Sequence, residues 1–83
     1  MRWSVAWSAV AERDLLNLPW RLAARVDAAV MAFAEGRKGE GSLERLSAGD
    51  PCRLRLRLPG ASAFLWLDAG AQVVNVARVL RNT

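Results

Sequence analysis

The sequence predicts an α+β fold in which two N-terminal helices pack on one face of a four-stranded, mainly antiparallel sheet, in the order β-α-α-β-β-β. Residues 2–7 and 53–58 alternate apolar and polar side chains, with the period of a half-buried strand. The segment between them carries an apolar stripe at helical spacing, formed by Leu22, Val26, Val30 and Phe33. Sheet and helix pair each have one apolar side, and packing these sides together buries both.

The N-terminal elements have recognisable boundaries. Residues 2–7, RWSVAW, form the first predicted strand. Ser8 is a good N-cap for a helix that runs to about Leu16. A second helix begins at Leu18-Pro19, because proline is tolerated in a first turn, and it ends at Gly36.

The C-terminal part is predicted to be β-structure after one loop. Residues 36–42, GRKGEGS, are a charged loop, and the SLERL segment that follows is expected to form one short helical turn. Asp50-Pro51 ends this region. Three strands then follow at 53–58, 61–67 and 72–80.

The first two of these strands are predicted to form a hairpin around Pro59-Gly60, a dipeptide that suits a type II turn. The leucines of RLRLRL then face the helices, and the arginines face the uncovered side of the sheet. The pairs expected on that open side are Arg57 with Ser62, Arg55 with Phe64, and Arg53 with Trp66.

The charge distribution indicates an anionic partner. Residues 1–52 contain seven basic and seven acidic side chains, so the net charge of +4 lies entirely in residues 53–83. Three interpretations of the open side remain. It binds a polyanion through phosphate contacts and base stacking, it forms a groove for a peptide, or its arginines and aromatic rings only stabilise the sheet.

Several classes of function are disfavoured by composition. The chain has no His and no Tyr, and Cys52 is its one cysteine, so neither a zinc site nor thiol catalysis is expected. No glycine-rich phosphate loop occurs, and we expect no cofactor and no metal. No apolar run is long enough to cross a membrane, and acidic residues come too early for a secretion signal, so a cytoplasmic protein is expected.

The element order and three motifs carry a family resemblance. The motifs are W-S-x-x-A-x-x-D-L near the start, DPCRLRLRLPGASAFLWLD at 50–68, and VVNVARVLRN near the end. Together they resemble the RelE/ParE toxins of bacterial type II toxin–antitoxin modules. The resemblance implies a single toxin domain over residues 1–83 and an acidic antitoxin as partner.

The resemblance also implies roles for individual residues. RelE-like members cleave mRNA on the ribosome, and ParE-like members act on DNA gyrase without nuclease residues. By position in the family pattern, the candidate catalytic residues are Arg53, Arg55 and Arg81. The candidate nucleic-acid contacts are Arg57, Trp66, Phe64, Arg78 and, in the charged loop, Lys38.

Two departures from the nuclease pattern leave the activity open. The nuclease branch has an arginine shortly after the glycine turn, where this chain has Gly60-Ala61-Ser62. Many nuclease members also end with a tyrosine or histidine, and this sequence, which ends at Thr83, contains neither. We expect inhibition of translation by ribosome-dependent mRNA cleavage. The alternatives are a ParE-like toxin of gyrase or a degenerate toxin that only binds its antitoxin.

Overall fold

The fold is a single mixed sheet with two helices on one face. The structure is a computed structural model, and it describes residues 2–47 and 49–82. Its elements are β1 (Ser4–Trp7), α1 (Ala9–Leu16), α2 (Trp20–Ala34), β2 (Ser42–Ser47), β3 (Asp50–Leu58), β4 (Ala61–Asp68) and β5 (Val73–Arg81). The strand order is β1-β5-β4-β3-β2, with β1 parallel to β5 and the other pairs antiparallel. The predicted α+β class is confirmed.

The strand count differs from the prediction because the SLERL segment is not a helical turn. It forms β2, which pairs antiparallel with β3 and places Leu43 opposite Leu56 and Glu44 opposite Arg55. Gly41 lets the chain approach β3, since its φ is 99° and a Cβ there would lie 2.8 Å from the carbonyl oxygen of Arg57. Pairing satisfies backbone groups of β3 that would otherwise form a bare sheet edge.

The two helices begin and end where the sequence predicts. Ser8 caps α1, and its Oγ accepts a hydrogen bond from the Ala11 N–H. Pro19 precedes the first residue of α2. Gly36 ends α2 with a φ of 72°, a left-handed conformation that glycine adopts without strain.

The core lies between the helices and one face of the sheet. Its fully buried side chains come from both helices and from the three central strands, and the larger ones are Val26, Val30, Leu58, Val74, Val76 and Val79. Leu56 is also buried, and Leu54 packs against the cluster from its rim. The predicted orientation of the hairpin leucines is therefore confirmed.

The hairpin register is the predicted one. Arg57 lies opposite Ser62, Arg55 opposite Phe64, and Arg53 opposite Trp66. Gly60 has a φ of 97°, as the third residue of a type II turn requires.

Helix α1 completes the sheet where β1 stops. Beyond Trp7, no strand formed by residues 2–47 or 49–82 lies beside the outer edge of β5. Two side chains of the helical segment bond to this edge instead. Ser8 Oγ donates to the carbonyl oxygen of Ala77 at 2.9 Å. The Asp14 carboxylate accepts the Val79 N–H at 3.0 Å and the Arg78 Nε–H at 2.8 Å. The hydrogen bond from the Arg78 guanidinium lowers the pKa of Asp14.

We predict that Gly60→Ala destabilises the hairpin. A non-glycine residue at this φ is strained, and the added Cβ would lie 3.3 Å from Leu22 Cδ1, so the free energy of unfolding should fall by about 1–2 kcal/mol. Urea denaturation measures this loss. The control is Gly70→Ala, whose Cβ would make only an ordinary 3.6 Å contact with Asp68 Oδ1. Equal losses in both variants would contradict the role given to the turn.

We also predict that Asp14 stabilises the fold only when it is ionised. Its folded-state pKa is lowered, so its contribution is present above the unfolded value of 3.8 and disappears as the pH falls through the folded value. Because Arg78 is half exposed, Asp14→Asn should lower the free energy of unfolding at pH 7 by only about 1 kcal/mol. As the pH falls below 3.8 and through the lowered folded-state pKa of Asp14, the difference in stability between the variant and the parent should shrink towards zero. Asp27→Asn, at an exposed position of α2, is the control, and a pH-independent loss for Asp14→Asn would refute the prediction.

Candidate nucleic-acid interface

The face of the sheet opposite the helices carries a line of three arginines. Arg53, Arg55 and Arg57 occupy alternate positions of β3, and we call them the arginine row. Because Leu54, Leu56 and Leu58 point to the core, strand alternation turns the row to the open face. Arg53 and Arg57 are exposed, and Arg55 is half-buried.

Strand β4 places two aromatic rings beside the row. Phe64 lies opposite Arg55, and Trp66 lies opposite Arg53. Trp66 is 43% exposed, whereas Phe64 is half-buried. Of the two predicted stacking platforms, Trp66 therefore offers the more accessible ring.

Strand β2 brings a carboxylate to the row. Glu44 lies opposite Arg55, with Oε2 at 2.6 Å from Arg55 Nη2 and Oε1 at 3.8 Å from Arg57 Nη1. The Nε of Arg55 is buried and forms no hydrogen bond to the described part of the chain. The sequence analysis missed this carboxylate because it treated residues 43–47 as a helical turn. The spacing in SLERL gave no signal of this, since Leu43 and Leu46 are three residues apart. Pairing with β3 is what turns Glu44 to the open face.

The structure separates Arg78 and Arg81 from the row. Arg78 lies opposite Phe64, but its guanidinium is bonded to Asp14 of α1, at the edge of β5. Arg81 lies opposite Ala61, which is fully buried in the core, so register places Arg81 on the helix side of the sheet. Only two of the three candidate catalytic residues, Arg53 and Arg55, lie together. Arg81 was grouped with them by its position in the family pattern, which does not reveal which face the end of the strand presents.

Comparison with known proteins bears on the fold. No family model matches the sequence, and no curated protein matches it significantly. Among solved structures, the chain is similar to one from the toxin–antitoxin complex RelBE2 of Mycobacterium tuberculosis, with a TM-score of 0.74 and 22% sequence identity. The similarity covers 99% of this chain and 93% of that chain. This chain has the RelE-like fold. The fold expected from the sequence motifs is thereby confirmed.

In this RelE-like hairpin, the residue that follows the turn at position 62 has a structural role. Ser62, which stands where the nuclease pattern has an arginine, is 2% exposed, and its Oγ donates to Asn82 Oδ1 at 2.9 Å. Asn82 Nδ2 in turn donates to the carbonyl oxygen of Leu58 at 2.9 Å. Ser62 and Asn82 thus tie the end of β5 to the hairpin.

The remaining candidate, Lys38, is distant from the row. It is exposed in the loop between α2 and β2 and lines a groove with Ala29, Phe33 and Leu43. These neighbours belong to the helix side of the RelE-like fold. The groove that Lys38 lines therefore lies on the side of the sheet opposite the arginine row. Any contact it makes with RNA would belong to a separate surface.

Within 2–47 and 49–82, no cluster of three or more His, Cys, Asp or Glu side chains is arranged to hold a metal ion. Neither described helix is long and apolar enough to span a membrane. The candidate interface of the RelE-like fold consists of the arginine row with Trp66 and Glu44.

Proposed function

We propose that this chain is the toxin of a two-component toxin–antitoxin module and that it inhibits translation by cleaving mRNA on the ribosome. The RelE-like fold supports the first part of the proposal. The observation that carries the second part is the arginine row beside an exposed Trp66 on a sheet face that no helix covers.

The open face has the chemistry that a single-stranded nucleic acid requires. Guanidinium groups bind phosphate oxygens through paired hydrogen bonds, and alternate residues of a strand present them about 7 Å apart on one side. An exposed indole ring stacks on any base. Both features lie on β3 and β4, so a strand of RNA that crosses the hairpin would meet them together.

The row also supplies part of the chemistry of RNA cleavage. Attack of a ribose 2′-hydroxyl on the neighbouring phosphorus builds negative charge on the phosphate oxygens, and fixed guanidinium groups stabilise that charge. We assign to Glu44 the removal of the 2′-hydroxyl proton, since its Oε2 lies 2.6 Å from Arg55 Nη2 of the row. With no His or Tyr in the sequence, a water molecule or the ribosome would protonate the leaving 5′-oxygen.

The proposed partner is an acidic antitoxin in the cytoplasm. An acidic segment is complementary to the basic C-terminal part of the chain, where the net charge of +4 resides. If it crossed the arginine row, it would cover the groups that contact RNA. Inhibition would then follow from occupancy of the same surface.

Two observations favour a function without nuclease activity. The chain would then either act as a toxin on DNA gyrase or serve only to bind its antitoxin. Ser62 is buried at the position of the family arginine, and Arg55 already has a carboxylate partner. Both reduce the number of guanidinium groups available to a scissile phosphate.

Induced expression tests the proposal. We expect growth arrest in a bacterial host, with new mRNA 5′ ends within codons detected by primer extension. Arg53→Ala and Arg55→Ala should each reduce cleavage about 100-fold, as loss of one charge-stabilising contact does. Arg21→Ala, at an exposed position of α2, is the matched control and should leave the arrest intact.

Other outcomes separate the candidates. Arrest without mRNA cleavage, together with loss of supercoiling activity of purified gyrase, would support the gyrase toxin and refute the nuclease. If growth is not arrested and the chain binds tightly to the protein encoded by a neighbouring gene, the result would support a domain that only binds its antitoxin and would refute both toxic functions.

We further predict that Glu44→Gln has opposite effects on binding and cleavage. Removal of the carboxylate charge frees Arg55 and Arg57 for phosphates, so affinity for a single-stranded oligonucleotide should rise about fivefold at 50 mM salt. The slope of log affinity against log salt should steepen by about one unit. Cleavage should fall if Glu44 accepts the proton. Glu12→Gln, on α1, is the control, and unchanged affinity in Glu44→Gln would contradict the competition between carboxylate and phosphate.

A further inference from the structure

A groove of about 380 Å³ opens on the uncovered face of the sheet, at the end of β1. Four strands meet there, because β5 lies between β1 and β4, and β3 follows β4. The groove is lined by Ala6, Trp7, Ser8, Arg53, Trp66, Asn75, Val76 and Ala77. Its volume lies within the range of sites for small organic ligands.

The polar groups of this groove are few and come from neighbouring strands. Asn75 lies directly opposite Trp66, and its Nδ2 donates to the Trp66 carbonyl oxygen at 3.4 Å. This contact holds the amide at the wall of the groove, while the amide oxygen and the second N–H are suited to a ligand. Arg53 lies on the other side of Trp66, as its partner in the register.

We propose that this groove binds one unpaired nucleobase together with its phosphate. The ring of Trp66 stacks on the base, the Asn75 amide hydrogen-bonds to the edge of the base, and Arg53 contacts the phosphate. The inference rests on the proposed function, in which the open face binds nucleic acid, and it adds a subsite that the arginine row alone does not provide.

The composition of the lining favours a base over other occupants. A planar ring, an amide and a guanidinium match the flat face, polar edge and anionic backbone of a nucleotide. An acidic peptide would use Arg53 but would gain little from the face of the indole. Apolar walls from Ala6 and Ala77 would exclude water from around a stacked base.

A site of this kind distinguishes single strands from duplexes. Bases in a duplex are stacked and paired, so none can enter the groove without the cost of unstacking. The arginine row, in contrast, contacts phosphates that both forms present. The groove therefore predicts a preference for single strands that charge alone would not produce.

The test uses the full chain and three fluorescein-labelled probes: a single-stranded RNA hexamer, the same length of abasic strand, and a duplex of equal phosphate number. Anisotropy at fixed salt should show the RNA hexamer bound about tenfold more tightly than the abasic strand. Trp66→Leu should abolish this difference and leave duplex binding unchanged. Trp20→Leu, at an exposed tryptophan of α2 far from the groove, is the matched control and should retain it.

Further variants control for misfolding of Trp66→Leu, and a further probe compares RNA with DNA. Trp66→Phe keeps a ring and should retain most of the preference, and Asn75→Ala should reduce it about threefold. If the preference survives Asn75→Ala and Trp66→Leu alike, the groove does not bind a base. A DNA hexamer in parallel shows whether the ribose hydroxyl contributes.

Failure of this inference is distinguishable from failure of the proposed function. Equal binding of natural and abasic strands by a chain that arrests growth and cleaves mRNA would overturn the base subsite alone. Loss of both nucleic-acid binding and cleavage would overturn both. Displacement by an acidic peptide that depends on Trp66, without any RNA binding, would assign the groove to a protein partner and refute the inference.

Discussion

The burial of three leucines determines which surface this protein presents. Leu56 and Leu58 are almost completely buried beneath the helices, and Leu54 packs at the edge of the same cluster. A slip of one residue in β3 would put guanidinium groups into the core and leucines into water. No such register is tolerable, because each buried unpaired charge costs several kcal/mol. The outward direction of the arginine row is therefore a consequence of core packing and holds whatever the row binds.

Features that depend on local periodicity could be predicted from the sequence, and those that depend on distant pairing could not. The helices, their ends and the hairpin register follow from an apolar stripe, a cap and a Pro-Gly turn. Strand β2 does not, because residues 42–47 become a strand only through hydrogen bonds to β3. The placement of Glu44 was lost with it. The direction of Arg81 was missed for a related reason, since the alternation that turns it to the helix side is set by pairing with β4.

The basic excess in the sequence is not the charge that the open face displays. Arginines of the C-terminal part are paired with carboxylates of the N-terminal part: Arg55 and Arg57 with Glu44, and Arg78 with Asp14. Folding thus compensates charges that the linear sequence separates. Asp14 has a structural role at the edge of β5, whereas Glu44 sits where a phosphate would bind. One ion pair therefore stabilises the sheet, and the other sets the properties of the interface.

Glu44 neutralises part of the positive charge of the arginine row, so charge cannot be the whole basis of recognition on this face. A phosphate that approaches Arg55 must displace a carboxylate already in place, so the net gain there is small. The groove around Trp66 adds contacts of another kind, the face of the indole ring and the amide of Asn75. Stacking at that end can anchor a strand while the phosphates compete for the row at the other. On this view the aromatic end of the hairpin selects the ligand, and Glu44 limits how strongly an arbitrary polyanion binds.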